Sequence, residues 1–386
     1  MIPVSEPLLG ARELEYVTEC IRSGWISSAG RFIDGFEQKW AEYCGMKYGI
    51  AMSNGTAALH AAVGCIGLQP GDKVILPTFT IISCAQAVFY NGGIPVLVDS
   101  DPRTWCMDVK QVREKVEMEM TKGDGRLKAI MPVHIYGHPV DMDPILEIAE
   151  KYNLKIIEDA AEVHGAEYLA GRNTSNPQWK RCGGMGDISV FSFYANKLIT
   201  TGEGGMVLTN DPAFADKARS LRNLCFLPHR RFYHTELGHN FRLTNLQAAI
   251  GLGQLERMGV IISRKRWMGQ AYTKRLQSIP GLQLPVEEPW ARQVYWMYGI
   301  VLDENTGLDA VQFAQKLKEK GVETRPFFLG MHEQPVFQNM GLLNNERYAV
   351  ADRIARQGLY LPSGLTLTEK QLDKVCETVK TVLDEV

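Results

Sequence analysis

Six short apolar runs, separated mostly by segments of helical periodicity, constrain this chain more than any other feature. They are "KVILP" (Lys73–Pro77), "PVLVD" (Pro95–Asp99), "KAIMPVHIYG" (Lys128–Gly137), "KIIED" (Lys155–Asp159), "ISVFSF" (Ile188–Phe193) and "GMVLTN" (Gly205–Asn210). Strands read as continuous apolar runs when helices cover both faces of their sheet. Segments such as "MDPILEIAEKYN" (Met142–Asn153) supply those helices. The alternation predicts an α/β layer with a mostly parallel sheet flanked by helices. After about Gly251 the pattern changes. "RKRWMGQAYTKRLQSI" (Arg264–Ile279) reads as a helix and "VYWMYGIVL" (Val294–Leu302) as a strand. "LDAVQFAQKLKEKG" (Leu308–Gly321) reads as an amphipathic helix with a glycine stop. A smaller α+β C-terminal domain is therefore expected, with the chain divided into 1–250 and 251–386.

The chain has 386 residues, enough for two domains of this kind. A formal net charge of −2 gives no broad electrostatic case for nucleic acid or an anionic membrane. The N-terminal stretch lacks the charged and apolar regions of a signal peptide, and no apolar run spans a bilayer, so a cytoplasmic location is expected. The eight cysteines are never paired as C-x-x-C, which argues against zinc and for buried free thiols. "NTS" at Asn173–Ser175 matches a glycosylation acceptor, but that has meaning only in a secreted protein. His134 and His138 in "VHIYGHP" have no further ligand cluster near them in sequence, so no metal is expected.

In open α/β sheets, function gathers at the carboxyl ends of the strands. "SNGTAALHAAVG" places Ser53, Asn54, Gly55 and Thr56 at a helix start. Free amides there suit a phosphate, although an ordinary capped helix has the same appearance. "KIIEDAAEVHG" ends a strand on Asp159. That carboxylate can bind a ribose, a metal or a protonated ring nitrogen, or can cap the next helix, with Glu162 completing a capping box. "SFYANKLITTGEGG" sets Lys197 after a strand that ends near Ser192. Alone, such a lysine reads as a solvated surface residue, because its free pKa of about 10.4 makes it a poor nucleophile. Desolvation can lower that value and allow a Schiff base. Together the three stretches match the demands of pyridoxal 5'-phosphate: a cradle for the phosphate, a carboxylate for the pyridine nitrogen and a lysine for the aldehyde.

At this point the sequence resembles the nucleotide-sugar aminotransferases, the DegT-type branch of the fold type I pyridoxal phosphate enzymes. The resemblance runs from "GWISSAGRFIDGFEQKWAEYCG" and "MSNGTAALHAAVGCIGLQPGDKVILPTFT" through "MPVHIYGHPVDMDPI", "IIEDAAEVHGAEY" and "GDISVFSFYANKLITTGEGGMVLTND" to "GHNFRLTNLQAAIGLGQLE" and "VETRPFF". Glu162, "HRRFYHTELGHNFRLTN" and "ISRKR" point within the family towards enzymes of GDP-linked sugars.

The resemblance implies a role for each matching residue. Lys197 would anchor the cofactor and shuttle the proton, and Asp159 would pair with the pyridine nitrogen. Glu162 would lie near the ring hydroxyl. Gly55, Thr56 and Ser192 would hold the phosphate, with Asn240 reaching it from a second subunit in a homodimer with shared sites. The implied reaction moves an amino group from glutamate to a nucleotide-linked 4-keto-6-deoxy sugar. The alternatives are a dTDP- or UDP-linked sugar, aminated at position 3 or 4, or a non-catalytic regulator with this fold. Some members carry histidine in place of the lysine and act as dehydratases, so the retained Lys197 favours aminotransfer. His134, His229, Arg230, Arg231, Arg242, Arg325 and His332 are candidates for the substrate, arginine being suited to a diphosphate. Two departures stand out. Ile81 occupies a position that is usually aromatic and stacks on the ring. The turn over 169–186 is longer than in many relatives and is expected to be a surface loop.

Overall fold

The computed structural model describes residues 1–227, 229–343 and 346–385. Its first nine strands are β1 (Tyr48–Met52), β2 (Lys73–Pro77), β3 (Ile94–Val98), β4 (Leu127–Ile130), β5 (Lys155–Asp159), β6 (Glu167–Ala170), β7 (Gln178–Arg181), β8 (Ile188–Ser192) and β9 (Gly205–Thr209). Seven of them form one sheet in the order β1-β9-β8-β5-β4-β2-β3. Only β9 runs against its neighbours; the pairs β2–β3, β2–β4, β4–β5 and β5–β8 are parallel. The expected α/β layer with a mostly parallel sheet is the fold found. Because β1, β2, β5 and β8 point the same way, their C-terminal ends share one edge of the sheet. Asn54, Thr80, Asp159 and Ser192 lie at that edge. The helix Gly55–Cys65 packs on β8 and β9 through Ala57, Ala58, Ala61 and Ala62, all buried. Alanines let the helix axis approach the sheet closely, which brings the helix start to the strand ends.

Three segments depart from the sequence reading. In the run 128–137 the regular strand ends at Ile130, Val133 still bridges Asp159 of β5, and the chain then turns through Tyr136 at φ 51° and Gly137 at φ 104°. The run 294–302 is a strand only over Tyr298–Leu302, because Tyr295 turns the chain at φ 47°. These two corners pack on each other. Val294 N–H donates to the Gly137 carbonyl at 3.0 Å, and a Cβ on Gly137 would stand 2.6 Å from the Trp296 nitrogen. Both runs are apolar because they are buried, and burial alone does not distinguish a strand from a packed corner. The segment 169–186 is not the expected surface loop. β6 and β7 form a hairpin that pairs with β11 (Ala291–Arg292) in a three-stranded antiparallel sheet, after β10 (Leu282–Gln283). In β7, exposed Gln178 and Lys180 alternate with half-buried Trp179 and Arg181, a polar pattern that disguises the strand.

Towards the C-terminus, β12 (Tyr298–Leu302), β13 (Arg325–Pro326) and β14 (Gly358–Leu361) join β10 in a second antiparallel sheet, in the order β10-β12-β14-β13. The helices Ala310–Glu319 and Glu369–Asp384 cover it, around a core that includes Tyr272, Tyr298, Phe313, Leu317 and Val375. The larger core draws in Ile261, Trp296, Met297 and Phe327 from the same part of the chain. All eight cysteines are free. No helix among the described residues is long and apolar enough to cross a membrane.

Candidate active site

A cavity of about 680 Å³ opens at the shared edge of the strands. Its floor and walls include Gly55, Thr56, Asp159, Glu162, Ser192 and Lys197, the group that the sequence singled out. At the helix start, Asn54 is the cap: its Oδ1 accepts from Ala57 N at 2.8 Å. The amides of Gly55 and Thr56 open the helix and have no intrahelical acceptor. A Cβ on Gly55 would stand 2.8 Å from Ser192 Cβ, so glycine lets the helix start approach the strand end this closely. Thr56 Oγ1 lies 2.8 Å from Ser83 Oγ. His164 fixes Ser192 from behind, its Nε2–H donating to the Ser192 carbonyl at 2.8 Å. Burial pulls His164 down to about 3, so the ring is neutral.

Asp159 ends β5 and is almost fully buried. Its Oδ1 accepts from Ala161 N at 3.0 Å, and its Oδ2 accepts from Cys84 Sγ at 3.2 Å. Burial pushes its pKa up in spite of these donors. Lys197 Nζ lies 3.5 Å from Glu162 Oε1 and 3.5 Å from the centre of the Trp296 ring. Burial pulls Lys197 down from the ordinary lysine range, against the opposing pull of Glu162 and Asp159. Burial pushes Glu162 up to about 7, although its Oε2 accepts from Tyr136 N at 2.8 Å. Both shifts have one cause, the loss of water around a charge. The consequence is a neighbouring amine and carboxyl each displaced towards its neutral form, the setting in which a lysine can serve as nucleophile and proton carrier.

The other candidates lie elsewhere. His134 is fully buried away from the cavity; its Nδ1 accepts from Val140 N at 2.8 Å and its Nε2 meets Glu158 at 3.0 Å. Glu158 in turn accepts from the amides of Gly183, Met185 and Gly186 and from Ser189 Oγ. His134, Glu158 and Cys182 come close enough to hold a metal, but the first two are taken up by these bonds. His138, pulled down to about 4 by burial, is bonded to Pro139 and Glu288. His332 is buried between Thr78 Oγ1 and Asp352 Oδ1, each at 2.8 Å, and so braces the loop after β2. Arg325 is exposed, pairs with Glu323 at 3.3 Å and sits opposite Tyr360, a residue of the cavity rim. Asn240, His229 and Arg230 are exposed and outside the cavity of their own chain. Arg242 and Arg231 line a second cavity of about 740 Å³ with Arg219 and Arg222. Ile81 lies on the cavity wall, 44% exposed.

The sequence reading passed over Cys84, Asn196, Trp296, Phe328 and Tyr360, which also shape the site. Trp296 was hidden in a run read as a strand, and the others carry no local pattern. The residues that do meet fit pyridoxal phosphate. Gly55, Thr56 and Ser192 bring free helix-start amides and two hydroxyls to one wall of the cavity, a donor set that suits a phosphate. Asp159 is a buried carboxylate that a protonated ring nitrogen would stabilise. Lys197 is a buried amine on the wall of the same cavity.

Comparison with known proteins agrees with this geometry. The model of the DegT/DnrJ/EryC1/StrS aminotransferase family matches residues 7–380. The chain is 43% identical to the GDP-perosamine synthase of Caulobacter vibrioides over 383 residues, covering 99% of this chain and 98% of that protein. It is 40% identical to the GDP-perosamine synthase of Escherichia coli O157:H7, over 98% of this chain and 97% of that one. Its fold superposes on the aminotransferase TlmJ from Streptoalloteichus hindustanus with a TM-score of 0.89 at 28% identity, covering 100% of this chain and 99% of TlmJ. The chain belongs to the DegT/DnrJ/EryC1/StrS aminotransferase family.

Proposed function

We propose that this protein transfers an amino group from glutamate to the keto group at position 4 of GDP-4-keto-6-deoxymannose, forming GDP-perosamine. The chain is a pyridoxal phosphate-dependent nucleotide-sugar aminotransferase. The choice of sugar is supported by the full-length likeness to GDP-perosamine synthases. The observation that carries the chemistry is the placement of the Lys197 amine, the Asp159 carboxylate and the donor groups of Gly55, Thr56 and Ser192 around one cavity.

Each residue has a part in this reading. Gly55, Thr56 and Ser192 bind the cofactor phosphate through amides and a hydroxyl. Asp159 keeps the ring nitrogen protonated and orients the ring. Pyridoxal phosphate, when bound, supplies the electron sink that lets a proton leave the α-carbon of an amino acid. Lys197 Nζ removes that proton in its neutral form and delivers one in its ammonium form, with the Glu162 carboxyl 3.5 Å away as its proton-exchange partner. Trp296 and Phe328 keep water away from the amine. In a homodimer, Asn240 and the arginines of the second cavity face a neighbouring copy, where the phosphate and the sugar diphosphate need positive or donor groups.

The test is the product mass. Purified protein given glutamate and GDP-4-keto-6-deoxymannose should yield the corresponding GDP-linked amino sugar, with 2-oxoglutarate in equal amount. Turnover of dTDP- or UDP-linked keto sugars but not of this one would overturn the assignment of substrate.

A further inference from the structure

Besides covering the amine, Trp296 is held in three ways. Its indole Nε1–H donates to the carbonyl of Asn196, the residue before Lys197, at 2.8 Å. Its own carbonyl accepts from Lys265 Nζ at 2.8 Å. Its ring lies nearly parallel to that of Tyr136, with an interplanar angle of 28°. Lys265 is itself unusual: it is 3% exposed, and no carboxylate among the described residues offsets its burial. Its second acceptor is the Ser363 carbonyl. A buried lysine spent on two carbonyls is a costly way to tie a helix to two loops, and burial pulls it down to about 7. What the tie fixes is the indole face against which Lys197 Nζ rests, 3.5 Å from the ring centre.

We propose that Trp296 is a positioning residue for Lys197: its indole face holds the free amine beside Glu162 and favours the ammonium form, while Lys265 holds the Trp296 main chain and the Asn196 carbonyl holds the indole N–H. An ammonium over the face of tryptophan is attracted by the ring quadrupole, and the attraction grows when water is excluded. The neutral amine gains little from the same face. Trp296 therefore opposes the desolvation that drives Lys197 towards neutrality, and sets how much of the amine carries a proton. The other titratable groups facing Lys197 are Glu162, Asp159, Cys84 and His164. They come from other elements of the chain. The inference rests on the reading of Lys197 as the working amine of the proposed function.

The experiment is the pH profile of Lys197 acylation by a small anhydride, read by peptide mass. It is run on the full-length protein with and without aminated cofactor, since Lys197 carries no covalent bond in either form. Better access would raise the rate at every pH, whereas a change in the ammonium's stability moves the midpoint. Trp296→Leu should move the midpoint to lower pH, with about tenfold more neutral amine at a fixed pH below it. Trp296→Phe keeps a π face but loses the N–H bond, and should fall between Trp296→Leu and wild type. A wild-type midpoint in Trp296→Phe, and in Trp296→Leu if it retains a cooperative thermal transition, would overturn the proposal. The two readings fail separately. A wild-type protein that never shows a cofactor absorption band counts against the proposed function. A normal band with unmoved midpoints counts against Trp296 alone.

Discussion

Asp159 sits in surroundings that disfavour its charge, and the same surroundings make it a strong partner for a cation. Burial raises its pKa even with Ala161 N and Cys84 Sγ as donors. Asp159→Asn should therefore stabilise the cofactor-free chain by about 1–2 kcal/mol while weakening cofactor binding about tenfold or more. Calorimetry and an absorbance titration read the two effects, and a variant unchanged in both would remove Asp159 from the site. Glu162 carries a pH signature. Its folded pKa is raised from 4.5 to about 7, so between those values the folded chain holds a proton that the unfolded chain has released. That contribution to stability is complete below the lower value and is lost as the pH rises through the upper one. In cofactor-free protein, Glu162→Gln should flatten the fall in melting temperature across this window. A fall parallel to wild type would show that another group titrates.

At the scale of elements, the start of the helix Gly55–Cys65 meets the end of β8 with no space to spare. Gly55→Ala should gain helix propensity yet cost about 1 kcal/mol net, because its Cβ would stand 2.8 Å from Ser192 Cβ. Cofactor affinity should drop about tenfold or more as the phosphate cradle closes; an unchanged dissociation constant would place the phosphate elsewhere. This junction was legible in the sequence because each half has a local signature: a capped helix start and a strand ending in a polar residue. The corners at Tyr136 and Tyr295 were not. Their apolar character reports burial, and their turns through positive φ come from packing against each other, which no local pattern records. The β6–β7 hairpin escaped for the opposite reason. Its second strand, β7, is polar and half-exposed, so it read as a loop, while β11, which completes its sheet, lies far along the chain.

The whole molecule brings together residues from Asn54 to Tyr360, and the part legible in sequence was the part carried by short motifs. Lys197, Asp159 and Ser192 stood out. His134 and His332 stood out too, but tertiary packing assigns them to Glu158 and to Thr78 with Asp352. Trp296 and Lys265, distant in sequence from Lys197, needed the fold to be seen. Asn240 lies outside the cavity of its own chain, so its proposed role requires a second copy. Mixing Lys197→Ala with Asn240→Asp subunits should then restore activity towards about a quarter of wild type, since half the dimers would hold one intact site. Mixtures no more active than the sum of their parts would contradict shared sites. The central claim is that Lys197 is the amine to which the cofactor binds. Borohydride reduction of the yellow holoenzyme followed by peptide mass analysis tests it most directly. The account predicts one cofactor adduct, on Lys197, together with loss of the visible band in Lys197→Ala. An adduct on Lys265 or any other lysine, or a Lys197→Ala protein that keeps the band, would contradict it.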